Sequence, residues 1–142
     1  DISRTWMVDG TPDDRQRRLY AACFEHVHRN MELLKPGLSF LELMEKGFCY
    51  SAELAEQNFT TIFHGLGLEN EWPIIMSPDK LHIPGAYGGG YDGELEVGMT
   101  LCIESYAGET GGPDGVKLEE MVLITEAGAV PLGLTPYQED WL

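Results

Sequence analysis

TLCIESYAGETGGPDGVKLEEMVLIT, residues 100 to 125, decides the architecture. Two strand-like runs, Thr100 to Ser105 and Val116 to Thr125, flank the segment Gly108 to Gly115. Its glycines, Pro113 and Asp114 mark a hairpin turn or loop. A carboxylate breaks each apolar run. Glu104 follows Leu101-Cys102-Ile103, and Glu119 separates Val116-Lys117-Leu118 from Met121-Val122-Leu123-Ile124.

Outward from this hairpin the pattern is mixed. Residues 1 to 7 read as the end of a strand. Thr11-Pro12-Asp13-Asp14 starts a helix, with Thr11 as cap, Pro12 at the first helical position and acids at the positive end of the dipole. Leu19, Ala22, Cys23, Val27, Met31 and Leu34 then recur at helical spacing until Lys35-Pro36-Gly37. Ser39 with Glu42 forms a capping box for a second helix, with Leu43, Met44, Gly47, Phe48 and Ala52 on its apolar side. Thr60 to Phe63 is a short strand running into His64-Gly65-Leu66-Gly67. Ser77 to Gly93 is loop-like, and Val130 to Leu134 follows the turn Ala127-Gly128-Ala129. One strand, two helices and then mostly strands predict an α+β domain, an antiparallel sheet with helices on one face.

The 142 residues suffice for one domain with its own core. With 9 basic against 24 acidic side chains the formal net charge is −15, which argues against nucleic acid and anionic membrane as partners. No apolar run approaches the roughly 20 residues of a membrane span, and no signal-peptide pattern opens the chain. Cys23, Cys49 and Cys102 are odd in number and widely spaced, so they make neither a disulfide framework nor a zinc motif. They read as buried free thiols in a reducing, cytoplasmic setting. The chain opens on Asp1 without a Met, and it reads as a piece whose upstream part is absent.

A carboxylate inside a buried strand is unfavourable unless it is paired or bound to a cation. Glu104, Glu119, His64 beside its glycines and the strand-borne Asp1 together suggest a shared cation site. Carboxylates with one imidazole suit manganese, iron, cobalt or zinc. Taken singly, each Glu is a solvent-facing strand residue, His64 a satisfied core histidine and Asp1 a turn residue. His26 and His28 lie two apart on a helix, face different ways and are expected on the surface. No P-loop lysine follows Gly88-Gly89-Gly90, so this is a flap carrying Tyr87 and Tyr91 beside the site, or a plain surface loop.

Several motifs carry a family resemblance, in order along nearly the whole chain. Asp1-Ile2-Ser3-Arg4-Thr5 resembles the D-x-x-R-[ST] strand of the pita-bread metallopeptidases, the family of methionine and Xaa-Pro aminopeptidases, prolidase and creatinase. His64-Gly65-Leu66-Gly67 resembles its H-G-x-G, and Glu71-Trp72-Pro73 its E-x-P. Gly98-Met99 with Ile103-Glu104 resembles G-M-x-x-x-x-E, and Lys117-Leu118-Glu119-Glu120 resembles R-I-E-D. Within the family, Leu101-Cys102-Ile103-Glu104 and Gly108-Glu109-Thr110-Gly111-Gly112 look most like the dimethylsulfoniopropionate lyase branch.

The resemblance implies a pita-bread fold, of which residues 1 to 142 are the C-terminal part, and a dinuclear centre of divalent iron, manganese, zinc or cobalt. Asp1, His64, Glu104 and Glu119 would be the ligands, an upstream Asp would complete the set, and Arg4 would support the site. It also implies a small-molecule or short-peptide substrate and a homodimer. The peptidases carry a His at the place of Asn70 and the lyases an Asp that acts as base, so Asn70 departs from both patterns. Asn has no titratable proton; the base would then come from the metal's own water or from Glu69 or Glu71. The reactions implied are β-elimination as in the lyases or hydrolysis as in the peptidases. A metal-free relative and a non-catalytic binding protein are the alternatives.

Overall fold

The computed structural model describes residues 1–54, 59–68, 71–80 and 93–142. Helices α1 (Asp14–Leu33) and α2 (Phe40–Lys46) precede five strands, β1 (Thr61–Gly65), β2 (Ile74–Met76), β3 (Thr100–Gly108), β4 (Gly115–Thr125) and β5 (Gly128–Pro131). The sheet is antiparallel throughout, in the order β2-β1-β3-β4-β5.

Helix α1 begins later than Thr11. Asp13 is the cap, because its side chain accepts from the Gln16 N–H while the Gln16 side chain accepts from the Asp13 N–H. That reciprocal box outcompetes a Thr11 cap. The Ser39–Glu42 box forms as expected, but α2 stops at Lys46, so Phe48 and Ala52 lie beyond it. Other bounds differ from the sequence reading: Ser3 makes only an isolated bridge where residues 1 to 7 read as a strand end, and the last strand spans Gly128–Pro131, not Val130 to Leu134. Ile74–Met76 is a strand, too short to show a period, and β3 extends three residues past Ser105 to Gly108.

The hairpin register organises the molecule. Glu104 faces Glu119 across the β3–β4 ladder, and His64 faces Cys102 across β1–β3. Side chains alternate between sheet faces. Leu101, Ile103, Ser105 and Ala107 on β3, with Val116, Leu118, Val122 and Ile124 on β4, therefore point one way, where all are buried. Leu19, Cys23 and Val27 of α1 and Phe40 and Leu43 of α2 join them in one core. Burying a side chain of this size contributes about 1.5–3 kcal/mol. His64, Cys102, Glu104, Lys117 and Glu119 take the opposite face.

His26 is a correction to the surface expectation. It is buried on α1 between Cys23 and Val27, stacks on Tyr50 at 4.6 Å and lies 3.3 Å from the Asn30 amide nitrogen. Cys23 and Cys102 are buried free thiols, while Cys49 is half-buried. No helix is long and apolar enough to cross a membrane among the described residues.

Candidate metal centre

His64 closes β1. The glycine after it permits a close approach that no other residue would. A Cβ on Gly65 would meet the Trp72 carbonyl oxygen at 1.9 Å, whereas a Cβ on Gly67 would meet nothing, so only the first glycine is needed for packing. The Gly65 carbonyl lies 3.2 Å from Nδ1 of His64. A carbonyl only accepts, so the proton sits on Nδ1. Nε2 then points at Glu119 Oε1, 3.1 Å away, and lies 3.6 Å from Asp1 Oδ1. Fixing one ring nitrogen by a backbone carbonyl and presenting the other is the usual way a histidine is oriented toward a metal.

Glu119 is wholly buried. Its carboxylate accepts from Ser3 Oγ at 2.8 Å and from His64, and Lys117 Nζ lies 3.5 Å away. Burial pushes its pKa up, but these hydrogen bonds and the Lys117 charge outweigh that and hold it at about 2. Burial pulls the His64 imidazole down, yet the Glu119 and Gly65 hydrogen bonds and the Glu104 charge raise it above its ordinary value. A cation held between His64 and Glu119 would need the imidazole nitrogen unprotonated, so its affinity would fall as pH falls.

Ser3 and Glu119 exchange backbone hydrogen bonds of 3.2 and 3.0 Å, which lays the N-terminal segment along β4 and brings Asp1 over the site. Arg4 acts from the other side of the strand. Its guanidinium donates to Glu120 at 2.6 Å and to the Glu119 carbonyl at 2.6 Å, and lies 3.8 Å from the Tyr137 ring centroid. It supports the backbone that carries Glu119.

Asp1, His64, Cys102 and Glu119 offer ligand atoms that all lie within 4.8 Å of one another. This set overlaps the residues expected from sequence and differs at one position. Glu104 shares the face and register, but its carboxylate is drawn to Lys117 Nζ at 2.9 Å. Lys117 thereby spans Glu104 and Glu119; burial lowers its pKa, and the Glu104 hydrogen bond more than restores it. Cys102 reads from sequence as core, because Leu101 and Ile103 flank it. The signal available in the sequence was the period of two, which puts residue 102 on the same face as residue 104. Burial pushes the Cys102 thiol up.

Glu71 is exposed, with a left-handed φ of 59°, and is not a member of this cluster. Asn70 and Glu69 lie outside the described residues, as do Gly85, Tyr87, Gly88-Gly89-Gly90 and Tyr91. The donor chemistry fits a divalent cation: two carboxylates, one oriented imidazole and a thiol, three of the four buried.

These features define a class of protein, an α+β domain whose sheet, on the face away from its helices, gathers donors suited to a divalent metal. The chain belongs to metallopeptidase family M24, whose pattern matches residues 1–126. Enzymes of this family bind divalent metal ions. It is 41% identical over 139 residues to the dimethylsulfoniopropionate lyase DddP of Roseobacter denitrificans, covering 96% of this chain and 30% of that protein. It is 34% identical over 140 residues to an Xaa-Pro dipeptidase of Pyrococcus furiosus, covering 95% of this chain and 36% of that protein. Among solved structures, the prolidase from Pyrococcus furiosus superposes with a TM-score of 0.69 at 33% identity, covering 95% of this chain and 37% of that one. The fold is accordingly the pita-bread fold, of which this chain covers a C-terminal portion. The chain spans about a third of the length of the curated relatives it matches.

Proposed function

We propose that the protein carrying this chain is a dinuclear metal-dependent enzyme that performs β-elimination on a small sulfonium carboxylic acid. Asp1, His64, Glu104 and Glu119 would hold the metal ions, with Glu104 released from Lys117 to do so. The observation that carries this reading is the identity of 41% to a dimethylsulfoniopropionate lyase over 96% of the chain, together with the donor cluster. The likeness to an Xaa-Pro dipeptidase supports a second reading, hydrolysis of Xaa-Pro peptides.

A bound divalent cation would supply Lewis-acid polarisation of the substrate carboxylate. The chain's own residues orient and neutralise. Glu119 stays ionised, His64 is held by the Gly65 carbonyl, and Lys117 balances charge beside Glu104. In the elimination a base takes the proton from the carbon next to the carboxylate. Its electron pair forms the carbon–carbon double bond, and the carbon–sulfur bond breaks with its electrons leaving on sulfur as a neutral sulfide. The family resemblance puts that base at the sequence position of Asn70, whose amide cannot accept a proton; the role would then fall to water on the metal or to a neighbour such as Glu69 or Glu71. The formal net charge of −15 fits a small-molecule substrate, with neither nucleic acid nor membrane as a partner. A cytoplasmic homodimer completes the proposal.

The test assays full-length protein, loaded with manganese, iron, zinc or cobalt, on dimethylsulfoniopropionate and on Xaa-Pro dipeptides. Sulfide release without peptide cleavage is expected. Native sulfide release is expected to be weak where no neighbour substitutes for the base, and Asn70→Asp should then raise elimination about a hundredfold or more. Efficient Xaa-Pro cleavage, with no lyase gain in Asn70→Asp, would replace this reading with the peptidase one.

A further inference from the structure

The His64–Glu119 contact joins β1 to β4 across β3, which lies between them. In the ladder His64 is opposite Cys102 and Glu119 is opposite Glu104, so the contact crosses β3 between residues 102 and 104. These two side chains are the ones β3 can offer to a cation held there. Glu104 is engaged by Lys117 at 2.9 Å. Cys102 is wholly buried; its Sγ accepts from the Asp1 amino group at 2.6 Å, lies 3.3 Å from the Asp1 carbonyl oxygen and 3.4 Å from Asp1 Oδ1, and so stays among the donors, within 4.8 Å of those of His64 and Glu119.

We propose that Cys102 is itself a metal ligand, completing with Asp1, His64 and Glu119 a mixed oxygen, nitrogen and sulfur set. This inference rests on the metal-centre reading above and adds a donor to it. Coordination is through the thiolate, and the thiol proton leaves to solvent as the ion enters. A soft sulfur donor favours zinc, iron or cobalt, where an all-oxygen-and-imidazole set would equally accept manganese or magnesium. The remaining thiols do not compete for this role. Cys23 faces the helix side of the sheet, where it contacts Tyr50 and the Val116 carbonyl, and Cys49 lies beside Ser77.

The experiment loads full-length protein with cobalt(II) and records its absorption. Ligand-field bands in the visible report that the ion is bound, and a near-ultraviolet thiolate-to-cobalt charge-transfer band reports sulfur ligation. Both are expected in the native protein, and Cys102→Ser should lose the second while keeping the first. Zinc affinity should fall about tenfold or more in Cys102→Ser, with manganese affinity changed much less. X-ray absorption of the zinc-loaded native protein needs no variant, and should show a zinc–sulfur distance of about 2.3 Å. Ligand-field bands with no charge-transfer band, or zinc surrounded by light atoms alone, would overturn Cys102 as a ligand and leave the metal centre standing. Absence of all cobalt bands would overturn the centre itself and this inference with it.

Discussion

Glu119 and Glu120 are adjacent, both buried, and point to opposite faces of β4, so their substitution should separate metal binding from stability. Glu120 is paired with Arg4 at 2.6 Å, with only 2% and 3% of the two side chains exposed. Removing one partner of such a pair costs about 3–5 kcal/mol, because the other charge stays buried. Arg4 keeps its bonds to the carbonyls of Ser3, Glu119 and Thr135, and glutamine still offers it an acceptor oxygen. Glu120→Gln therefore belongs at the lower end, about 3 kcal/mol. Urea denaturation of the metal-free full-length protein reads this as a lower midpoint at unchanged slope. Calorimetric titration of the folded variants with zinc reads the other half. Glu119→Gln should lose affinity about tenfold or more, and Glu120→Gln should stay close to native. Equal loss of metal in the two variants, or an unchanged midpoint in Glu120→Gln, would refute the assignment of the two faces.

Two further outcomes follow from the same geometry. Burial pulls the His26 pKa from 6.5 to about 4, against a weaker upward pull from Asp79. Because the folded value is depressed, the unfolded chain binds the proton first. The stability is present in full above pH 6.5 and is lost as pH falls toward 4, by about 3 kcal/mol at 1.36 kcal/mol per unit. The difference in unfolding free energy between native protein and His26→Leu, followed across that interval, should change by this amount; a constant difference would contradict it. Gly65→Ala drives a methyl to 1.9 Å from the Trp72 carbonyl oxygen, so β1 or the segment after it must shift. Overpacking of this kind costs about 1–3 kcal/mol, and zinc affinity should drop with it because His64 is the preceding residue. Native stability and affinity in this variant would show that the close approach is unnecessary.

Much of the fold was legible because two strand-like apolar runs, which become β3 and β4, flank a glycine-rich turn. The α+β class, the hairpin and the second capping box followed from local chemistry alone. Where the sequence misled, a tertiary cover was responsible. Glu119 and Glu120 could not both be read as buried, since the N-terminal segment bonded to Glu119 and the Arg4 and Tyr137 side chains on Glu120 meet β4 only on folding. His26 looked exposed because Tyr50 and Asn30, which satisfy it, are brought together by folding. Of the candidate ligands, Asp1, His64 and Glu119 were suggested by residue type and motif. The engagement of Glu104 by Lys117 depends on a cross-strand diagonal, and the part played by Cys102 depends on register. Neither is written in local pattern.

A divalent cation is expected to bind between His64 and Glu119. Anomalous diffraction from zinc-soaked crystals of the full-length protein tests it most directly. An anomalous peak is expected about 2.0–2.2 Å from His64 Nε2 and from a Glu119 carboxylate oxygen, with the hydrogen bond between those residues broken. Zinc density elsewhere, with the His64–Glu119 hydrogen bond intact at its 3.1 Å, would contradict it.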